Sequence, residues 1–298
     1  MTKQSTSHLF MIEPESFYMN EQTAFTNHYQ KEATDETPEV IAEKALNEFH
    51  NLKNAIEDKG ITVTCLKGSK DCPDHIFPNW FMTFEDKTMQ IFSMMAPNRR
   101  KEKKLSMIEH LTKSYELTND MSHLEEKEIF LESTSSMVFD RVNRIVYAGI
   151  SPRTNAVQLI IWCRHNNYEL VLFETESHTG SPIYHTDVLM YVGTEIIGIC
   201  FDVIKEEHRD YVKEKVNKYH DVVELSPEQI ENFCGNAIEA KNKNDELFLI
   251  LSSTAYKALN EKQIEKLLKS YTDIIHSDIP TIEKYGGGSA RCMLTELF

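Results

Sequence analysis

Apolar residues recur at every third or fourth position between residues 39 and 58, which is the spacing of one helix face. The apolar positions in this stretch are Ile41, Ala45, Phe49, Leu52 and Ile56. Thr37 and Pro38 suit an N-cap and a first turn, and Gly60 suits the end of a helix. The pattern predicts an amphipathic helix over 39–58, followed by a strand with the sequence ITVTCL.

Strand-length apolar runs alternate with amphipathic segments along the rest of the chain. We predict strands in MQIFSM, IFLESTSSMVFD, RIVYAGI, YELVLFET, HTDVLMYVGTEIIGICFDVI, ELFLILSS and TDIIHSD. We predict helices in KLSMIEHLTKSYEL, in the segment capped by Ser151 and Pro152, at 206–219, from Pro227 and in NEKQIEKLLKSY. This alternation indicates an α/β fold, and units of roughly 50–60 residues suggest an internal repeat.

The composition is that of a globular protein, with 41% hydrophobic and 27% charged residues. No Pro-, Gly- or Ser-rich linker divides the 298 residues, so we predict one catalytic domain over 1–298. The N-terminal MTKQSTSHLFMIEPE lacks the apolar core of a signal peptide, and no apolar run reaches the roughly 18 residues of a membrane span. We therefore expect a cytoplasmic protein with no membrane partner.

The net charge of −15 disfavours binding to nucleic acid or to anionic membranes. The basic run NRRKEKK at 98–104 is predicted to be the solvated start of a helix. Neither GxGxxG nor GxxxxGK[ST] occurs, so we expect no nucleotide cofactor and no other cofactor. The sequence leaves a homo-oligomer open.

The six cysteines show no CxxC spacing, which argues against a zinc ribbon or a redox pair. Cys163 and Cys200 lie among apolar residues and are predicted to be buried structural residues. We therefore expect no metal site, and nothing in the sequence demands a disulfide.

Three of the ten glycines stand together in YGGGSARCML, residues 285–294, directly before a cysteine. Glycines allow the backbone to approach a ligand closely, and Arg291 beside Cys292 can lower the pKa of the thiol or bind an anion. A nucleophilic thiol also needs a neighbouring base. On residue types alone, an active-site loop and a glycine turn into a last strand with a buried cysteine are equally good interpretations.

Two further segments place a histidine and carboxylates at predicted strand ends. His185 and Asp187 in YHTDVLM are two residues apart, so in a strand both would face one side. Such a pair suits a general acid/base and a polar clamp. Glu132 in FLESTSSMVFD could hold a histidine or a substrate nitrogen. The alternative for each is a solvent-facing group, as most of the 12 histidines must be.

Polar groups among aromatic residues in DHIFPNWFMTF, which includes Asp74 and Asn79, predict the wall of a ligand pocket. Arg153 in SPRTN is predicted to lie in the first turn of a helix, where a cation is unfavourable unless it recruits an anion such as a substrate carboxylate. The alternatives are a packed loop and an exposed arginine. Together these segments supply a thiol, a base, carboxylates and arginines, the set required to hydrolyse a guanidino or ureido carbon.

Eight segments covering nearly the whole chain resemble the guanidino-group modifying superfamily, or penteins, which includes arginine deiminase, dimethylarginine dimethylaminohydrolase and amidinotransferases. The likeness is greatest to the citrulline hydrolases (citrulline ureidases). The segments are MIEPESFYMNEQTAFTNHYQ (11–30), DHIFPNWF (74–81), MAPNRR (95–100), FLESTSSMVFDR (130–141), YAGISPRTN (147–155), YHTDVLMYVG (184–193), CGNAIEA (234–240) and DIPTIEKYGGGSARCMLTELF (278–298).

The resemblance implies a five-fold pseudosymmetric α/β propeller of ββαβ units around a polar channel. It implies that Cys292 is the nucleophile, His185 the general acid/base and Glu132 an orienting carboxylate. It also implies two groups of substrate-binding residues, Asp74, Asn79 and Asp187 for the head group and Arg153, Arg291 and Asn236 for the amino-acid end.

The chain departs from the superfamily pattern at two places. It has ESTS at 132–135 where EGTG is expected, which bears on the geometry of the loop after the carboxylate. It has one asparagine, Asn79, after FP where two are expected, which bears on the register of the pocket.

The implied reaction is hydrolysis of an amino-acid substrate, most simply of citrulline to ornithine, carbon dioxide and ammonia, through a covalent Cys292 intermediate. Asn79 can both donate and accept hydrogen bonds and favours a neutral ureido group, whereas Asp187 only accepts and favours a guanidinium. The alternatives are an arginine deiminase or methylarginine hydrolase, and a non-catalytic binding protein of the same fold.

Overall fold

The structure, a computed structural model, describes residues 3–31 and 36–298. Its described strands form five sheets of three strands each. The strands are β1 (His8–Glu13), β2 (Thr62–Lys67), β3 (Phe81–Thr83), β4 (Thr88–Ile91), β5 (Glu116–Asp120), β6 (Val138–Asp140), β7 (Ile145–Gly149), β8 (Glu169–Phe173), β9 (Met190–Val192), β10 (Ile196–Ile199), β11 (Asp221–Glu224), β12 (Ile238–Lys241), β13 (Leu247–Ser252), β14 (Asp273–Ser277) and β15 (Thr295–Glu296).

Helices connect and flank these strands. The α-helices are α1 (Glu21–Ala24), α2 (Pro38–Glu57), α3 (Pro97–Arg100), α4 (Leu105–Leu111), α5 (Ser133–Ser136), α6 (Ala156–His165), α7 (Glu206–Asn217), α8 (Pro227–Glu231), α9 (Ser253–Ala258), α10 (Glu261–Leu267) and α11 (Pro280–Gly286). Three 3₁₀ helices span Ser122–Lys127, Thr186–Val188 and Arg291–Met293.

Each sheet repeats one topology. An antiparallel pair of strands is followed by a helical crossover to a third strand that is parallel to the second, as in β6–β7–α6–β8 and β9–β10–α7–β11. The same order occurs in β3–β4–β5 and β12–β13–β14. The structure thus confirms the α/β class and the internal repeat, with five ββαβ units in the pentein arrangement.

The two ends of the chain build the fifth unit together. β15 pairs antiparallel with β1, with Leu9 opposite Glu296 and Phe10 opposite Thr295, and β1 pairs parallel with β2 across α2. The 3₁₀ helix Arg291–Met293 comes immediately before β15. The pairing of the last strand with the first therefore brings Cys292 to the middle of the molecule.

The helix predicted from the apolar spacing is confirmed as α2. Its buried positions are the five predicted ones, Ile41, Ala45, Phe49, Leu52 and Ile56. They pack in one cluster with residues of β13 and β14, such as Ile250 and Ile275. Burying each large aliphatic or aromatic side chain contributes roughly 1.5–3 kcal/mol, so this face holds the crossover against the sheets.

Several predicted boundaries are wrong, and polar side chains explain two of them. The strand predicted across FLESTSSMVFD is interrupted by α5, and only β6 remains of it. There the Ser136 hydroxyl accepts from the backbone N–H of Glu132 at 3.0 Å, and such local bonds compete with a strand ladder. The helix predicted from Ser151 begins at Ala156 instead, because Asn155 caps it by accepting from the Gln158 N–H. The end of KLSMIEHLTKSYEL belongs to β5 rather than to a helix.

Cys163 and Cys200 are buried, as predicted, and the described part of the chain contains no disulfide. Across residues 3–31 and 36–298, no helix has the length and apolarity that a membrane crossing requires. The same residues contain no cluster of three or more His, Cys, Asp or Glu side chains arranged to hold a metal ion.

Candidate active site

Loops from several of the five units meet at one small cavity. Its volume is about 10 Å³, room for about one water molecule. The lining residues are Asn27, Asp74, Phe77, Asn79, Arg99, Arg153, Tyr184, His185, Gly286, Gly288 and Cys292. Five of the residues singled out in the sequence, Asp74, Asn79, Arg153, His185 and Cys292, thus share one cavity.

His185 and Glu132 form a buried pair beside this cavity. Nε2 of His185 lies 2.7 Å from Oε2 of Glu132, and both side chains are about 1% exposed. The other carboxylate oxygen, Oε1, accepts from the backbone N–H of Met95 at 2.9 Å. Within the described ranges, Nδ1 of His185 has no hydrogen-bond partner. That nitrogen is therefore free to take up or release a proton.

The charges of this pair follow from their surroundings. Burial raises the pKa of Glu132, but the hydrogen bond to His185 and the guanidinium of Arg153 at 3.7 Å outweigh it and lower the pKa to about 2. Burial lowers the pKa of His185 to about 4, against the opposing effect of Glu132. Glu132 is therefore ionised at neutral pH and His185 is neutral, which suits a histidine that first accepts a proton.

His185 and Asp187 do not share a strand face, so that prediction is wrong. His185 is extended and caps the 3₁₀ helix Thr186–Val188, which contains Asp187. The turn sends the two side chains to different surroundings. His185 lines the cavity described above, whereas Asp187 lines a second one.

Cys292 is held in a buried 3₁₀ turn and is 3% exposed. Nδ2 of Asn236 lies 3.2 Å from Sγ, and Oδ1 of Asn236 accepts from the backbone N–H of Cys292 at 3.3 Å. Sγ also lies 3.7 Å from Oδ2 of Asp187. Burial, and then the charge of Asp187, raise the pKa of Cys292 well above its ordinary value. The free protein therefore holds a thiol that must lose its proton during reaction.

Two of the three consecutive glycines fit the space around the thiol. A Cβ on Gly288 would lie 3.3 Å from Sγ of Cys292. Gly287 has φ +60°, and a Cβ there would lie 2.7 Å from the side chain of Asn27. Asn27 in turn donates to the carbonyls of Gly286 and Gly287 at 3.1 and 3.2 Å. The glycines thus allow the loop 20–30 and the nucleophile to approach each other closely.

Asp74 and Asn79 also line this cavity. Oδ2 of Asp74 accepts from Asn20 at 2.8 Å and from Thr23 at 3.2 Å. Oδ1 of Asp74 is buried and has no partner among the described residues. A buried carboxylate oxygen without a donor is costly, so this atom is suited to receive an N–H from a ligand.

Arg153 lies in the turn before α6, not in the first helical turn as predicted. Its guanidinium donates to the Thr26 hydroxyl at 2.8 and 3.0 Å and to the carbonyl of Thr23 at 3.1 Å. It also stacks 4.8 Å from the ring of Tyr184. Arg153 thus contacts both the segment 20–30 and the carboxylate of Glu132.

Arg99 is a cavity residue that the sequence analysis missed. The run 98–104 was predicted to be solvated, but Arg99 is 2% exposed and Glu102 is fully buried, so the prediction is wrong there. Nε of Arg99 donates to Glu102 at 2.9 Å, and NH1 lies 4.0 Å from Oε2 of Glu132. The MAPNRR segment in the superfamily resemblance contained the signal that could have indicated it.

Asp187 and Arg291 line the second cavity, of about 30 Å³, and neither is among the residues lining the first. Burial raises the pKa of Asp187 to about 7, although the guanidinium of Arg291 opposes this. Arg291 donates to the carbonyl of Leu294 at 2.6 Å and lies 3.4 Å from Glu296. The structure thus places the Arg291 guanidinium away from the first cavity.

The sequence profile of the family described as N,N dimethylarginine dimethylhydrolase, eukaryotic, matches residues 13–298. A comparison with curated proteins finds no match. Among solved structures, the chain is similar to the substrate-bound N-terminal domain of ArgZ, an arginine dihydrolase from the ornithine-ammonia cycle in cyanobacteria. The TM-score is 0.77, the identity is 15%, and 97% of each chain is covered.

Two other solved structures have the same fold. Unliganded AgrE gives a TM-score of 0.75 at 12% identity over 98% of this chain, which spans 39% of AgrE. A variant of dimethylarginine dimethylaminohydrolase with an S-methyl-L-thiocitrulline adduct gives a TM-score of 0.65 at 17% identity, with 100% of both chains covered. These likenesses agree with the five-unit pentein fold seen in the sheets.

Proposed function

Because this chain belongs to the N,N dimethylarginine dimethylhydrolase family, eukaryotic type, we propose that it is a cysteine-dependent hydrolase. It would cleave a carbon–nitrogen bond in the head group of a guanidino or ureido amino acid. The observation that carries the proposal is the meeting of Cys292 and His185 in one cavity, with Glu132 bonded to His185 at 2.7 Å. This is a nucleophile, a base and an orienting group for the base.

The proposed reaction proceeds through a covalent intermediate. Nδ1 of His185 accepts the thiol proton, and Sγ of Cys292 forms a bond to the trigonal carbon of the head group. The C–N bond then breaks as His185 gives that proton to the departing amine. In the second half, His185 takes a proton from water, the hydroxide attacks the same carbon, and the C–S bond breaks. The proton returns to the thiolate.

The surroundings of the cysteine support both halves of this reaction. The Asn236 amide at 3.2 Å from Sγ donates to the thiolate when it forms. Glu132 stays ionised and stabilises the imidazolium that arises when His185 accepts a proton.

We propose that the two arginines of the cavity hold the amino-acid end of the substrate. Arg99 and Arg153 both line the cavity and lie within 4.0 Å of the same oxygen of Glu132. They are the two guanidinium groups among the cavity-lining residues, and a guanidinium recognises a carboxylate through paired hydrogen bonds. Asn236 and Arg291, which the resemblance assigned to this end, make their contacts behind Cys292 instead, and their role toward substrate stays a prediction.

For the head group, citrulline stays our first proposal. The free Oδ1 of Asp74 can accept an N–H, and Asn79, which lines the same cavity, can donate to a ureido carbonyl. The second candidate is a methylated arginine or arginine, which the family assignment favours. A guanidinium offers donors only, so it would satisfy Asp74 and leave Asn79 to act as an acceptor.

The deciding experiment incubates the purified protein with citrulline, arginine and methylated arginines and identifies the products by mass spectrometry. Ornithine from citrulline supports the first proposal. Citrulline formed from a methylated arginine or from arginine supports the second. If the wild type turns over none of these, while the wild type and Cys292→Ala bind one of them equally, the protein binds without catalysis and the proposal of a hydrolase is wrong.

Because the cavity is small, we also propose that the loop 20–30 moves when a substrate binds. The cavity of about 10 Å³ is far smaller than an amino acid such as citrulline, and Asn27 of that loop lines it. The loop is held by hydrogen bonds to Arg153, Gly286 and Gly287. These bonds must break and re-form in each catalytic cycle if the proposed reaction takes place in this cavity.

A further inference from the structure

Glu296 lies between the buried Arg141 and the partly buried Arg291, which immediately precedes the proposed nucleophile. Its Oε2 is 3.3 Å from NH2 of Arg141 and 3.4 Å from NH2 of Arg291. The exposed fractions of the three side chains are 5% for Arg141, 10% for Glu296 and 11% for Arg291. In such surroundings, charge interactions are weakly screened.

Arg141 fixes the position of this carboxylate from the neighbouring unit. It follows β6, and its guanidinium lies 4.2 Å from the ring of Phe298 and 5.1 Å from the ring of Phe139. Glu296 itself is in β15, which pairs with β1. The carboxylate is therefore held by two elements that come from distant parts of the sequence.

Arg291 connects this carboxylate to the turn that carries the thiol. Its NH1 donates to the carbonyl of Leu294 at 2.6 Å, which closes the backbone around Cys292. Asp187 and Arg291 are charged groups that act on Cys292, and Tyr184 is coupled to it. The titratable and charged groups that line the first cavity with Cys292 are Asp74, Arg99, Arg153 and His185. Arg291 and Asp187 line the second cavity together with Glu296 and Glu239. Arg291 is thus the cation on the side of the thiol that faces away from the substrate cavity.

We propose that Glu296 is a positioning residue for the nucleophile. Through Arg291 it holds the Cys292 turn in place, and it sets how strongly the Arg291 charge acts on the thiol. Arg141 shares the carboxylate and so limits how much of it neutralises Arg291. The inference rests on the proposed role of Cys292, but it concerns the thiol alone and involves no substrate group.

The proposed role predicts that different substitutions shift the pKa of Cys292 in opposite directions. Arg291 lowers the pKa of Cys292, so Arg291→Gln should raise it. Glu296→Gln leaves Arg291 without its partner carboxylate, so the pKa of the thiol should fall. Arg141→Gln leaves Glu296 to Arg291 alone, so the pKa of the thiol should rise. A purely structural role would impair the site in the same direction in all three variants.

The test measures the rate of Cys292 alkylation by iodoacetamide against pH, with mass spectrometry of the Cys292 peptide to separate it from the other five cysteines. At a fixed pH below the thiol pKa, a shift of about one unit in that pKa changes the thiolate fraction about tenfold. We therefore expect alkylation to be roughly tenfold faster in Glu296→Gln and roughly tenfold slower in Arg291→Gln. Glu296→Asp should lie near wild type if the carboxylate still reaches Arg291.

Glu239→Gln is the matched control. It removes another carboxylate from the same cavity, but that carboxylate binds Thr194 and not Arg291. Its rate should change less than threefold. Equal directions for Glu296→Gln and Arg291→Gln, or no change in either, would overturn the proposal. If circular dichroism shows that Glu296→Gln is unfolded, the alkylation rate of Arg141→Gln decides. Slower alkylation than wild type supports the proposal, and an equal or faster rate overturns it. Since no substrate is used, a negative result here is separate from a failure of the proposed hydrolase activity.

Discussion

Asn236 holds Cys292 at two points, through its Nδ2 at 3.2 Å from Sγ and through its Oδ1, which accepts from the Cys292 N–H at 3.3 Å. The same Nδ2 donates to the carbonyl of Asp187 at 2.9 Å. The two residues are 56 positions apart in the sequence, and Asn236 is fully buried. The amide therefore fixes the nucleophile relative to the segment that carries His185 and Asp187.

We predict that Asn236→Ala lowers kcat about 10- to 100-fold with little change in KM. A hydrogen bond to a charged group contributes roughly 1.5–3 kcal/mol, and this one is strongest when the thiolate forms. Steady-state kinetics with the substrate identified above checks this. The control is Asn217→Ala, whose amide donates to the exposed carbonyl of Lys213. An unchanged kcat for Asn236→Ala would contradict the role of the amide.

Glu132→Gln should destabilise the protein by about 3–5 kcal/mol, because it removes the carboxylate beside two buried cations, of which Arg99 keeps Glu102 and Arg153 keeps no ion pair among the described residues. Those cations are Arg153 at 3.7 Å and Arg99 at 4.0 Å. Urea denaturation at pH 7 measures the change. Asp278→Asn, which removes an exposed pair with Lys257, should cost less than about 1 kcal/mol. Equal losses in the two variants would show that the buried network contributes no more than a surface pair.

The same carboxylate gives a defined pH dependence. The pKa of Glu132 is about 2 in the folded protein against an ordinary value of 4.5, so the unfolded state binds its proton more readily. Its stabilising contribution is complete above pH 4.5 and is lost as the pH falls toward 2. Glu132→Gln should therefore flatten the acid limb of the stability curve between pH 4.5 and 2.

His185 predicts a second pH dependence at a higher range. Burial lowers its pKa to about 4 from an ordinary 6.5, so the unfolded state takes up a proton in this interval and the folded state does not. The free energy of unfolding should rise with pH between about 4 and 6.5. His185→Gln should reduce the difference between urea denaturation at pH 5 and at pH 7. The control is the substitution of an exposed histidine, His110→Gln.

Gly287→Ala and Gly180→Ala form a matched pair. Both glycines have positive φ, +60° and +76°, so alanine should cost about 1–2 kcal/mol of backbone strain at each. A Cβ at Gly180 would meet open space, whereas at Gly287 it would lie 2.7 Å from Asn27. We expect Gly287→Ala to lose more stability and to lower activity, since Asn27 lines the cavity. Similar thermal unfolding and activity in both variants would contradict the close packing of loop 20–30.

Ser133 stands at a position where the resemblance to the penteins leads us to expect a glycine. It has φ +48°, an unfavourable value for a residue with a side chain, and its hydroxyl donates to the carbonyl of Phe81 at 2.8 Å. Ser133→Gly relieves the strain and loses the bond, so stability should change by less than about 1 kcal/mol. Ser133→Ala keeps the strain and loses the bond, so it should be the less stable of the two by denaturation. The reverse order would show that the positive φ of residue 133 costs less than the greater chain entropy of glycine in the unfolded state.

The α/β class, the helix α2 and the repeat could be predicted from the sequence because they depend on local periodicity. The apolar spacing from Ile41 to Ile56 is a property of one segment, so it can be recognised without knowing what the helix packs against. The boundaries near Glu132 and Ser151 could not be predicted in this way. There, hydrogen bonds that the side chains of Ser136 and Asn155 accept from backbone N–H groups decide where strands and helices begin.

The sequence by itself determined which reactive residue types are present and, through the eight segments, which fold would bring them together. Only the tertiary structure decided that His185 and Asp187 face different cavities, that Arg99 is buried beside Glu132, and that Arg291 contacts Glu296 behind the thiol. The physical reason is that each of these depends on contacts between residues far apart in the chain, in particular on the pairing of β15 with β1. A spacing of two or three residues cannot show which side of a turn a charge will occupy.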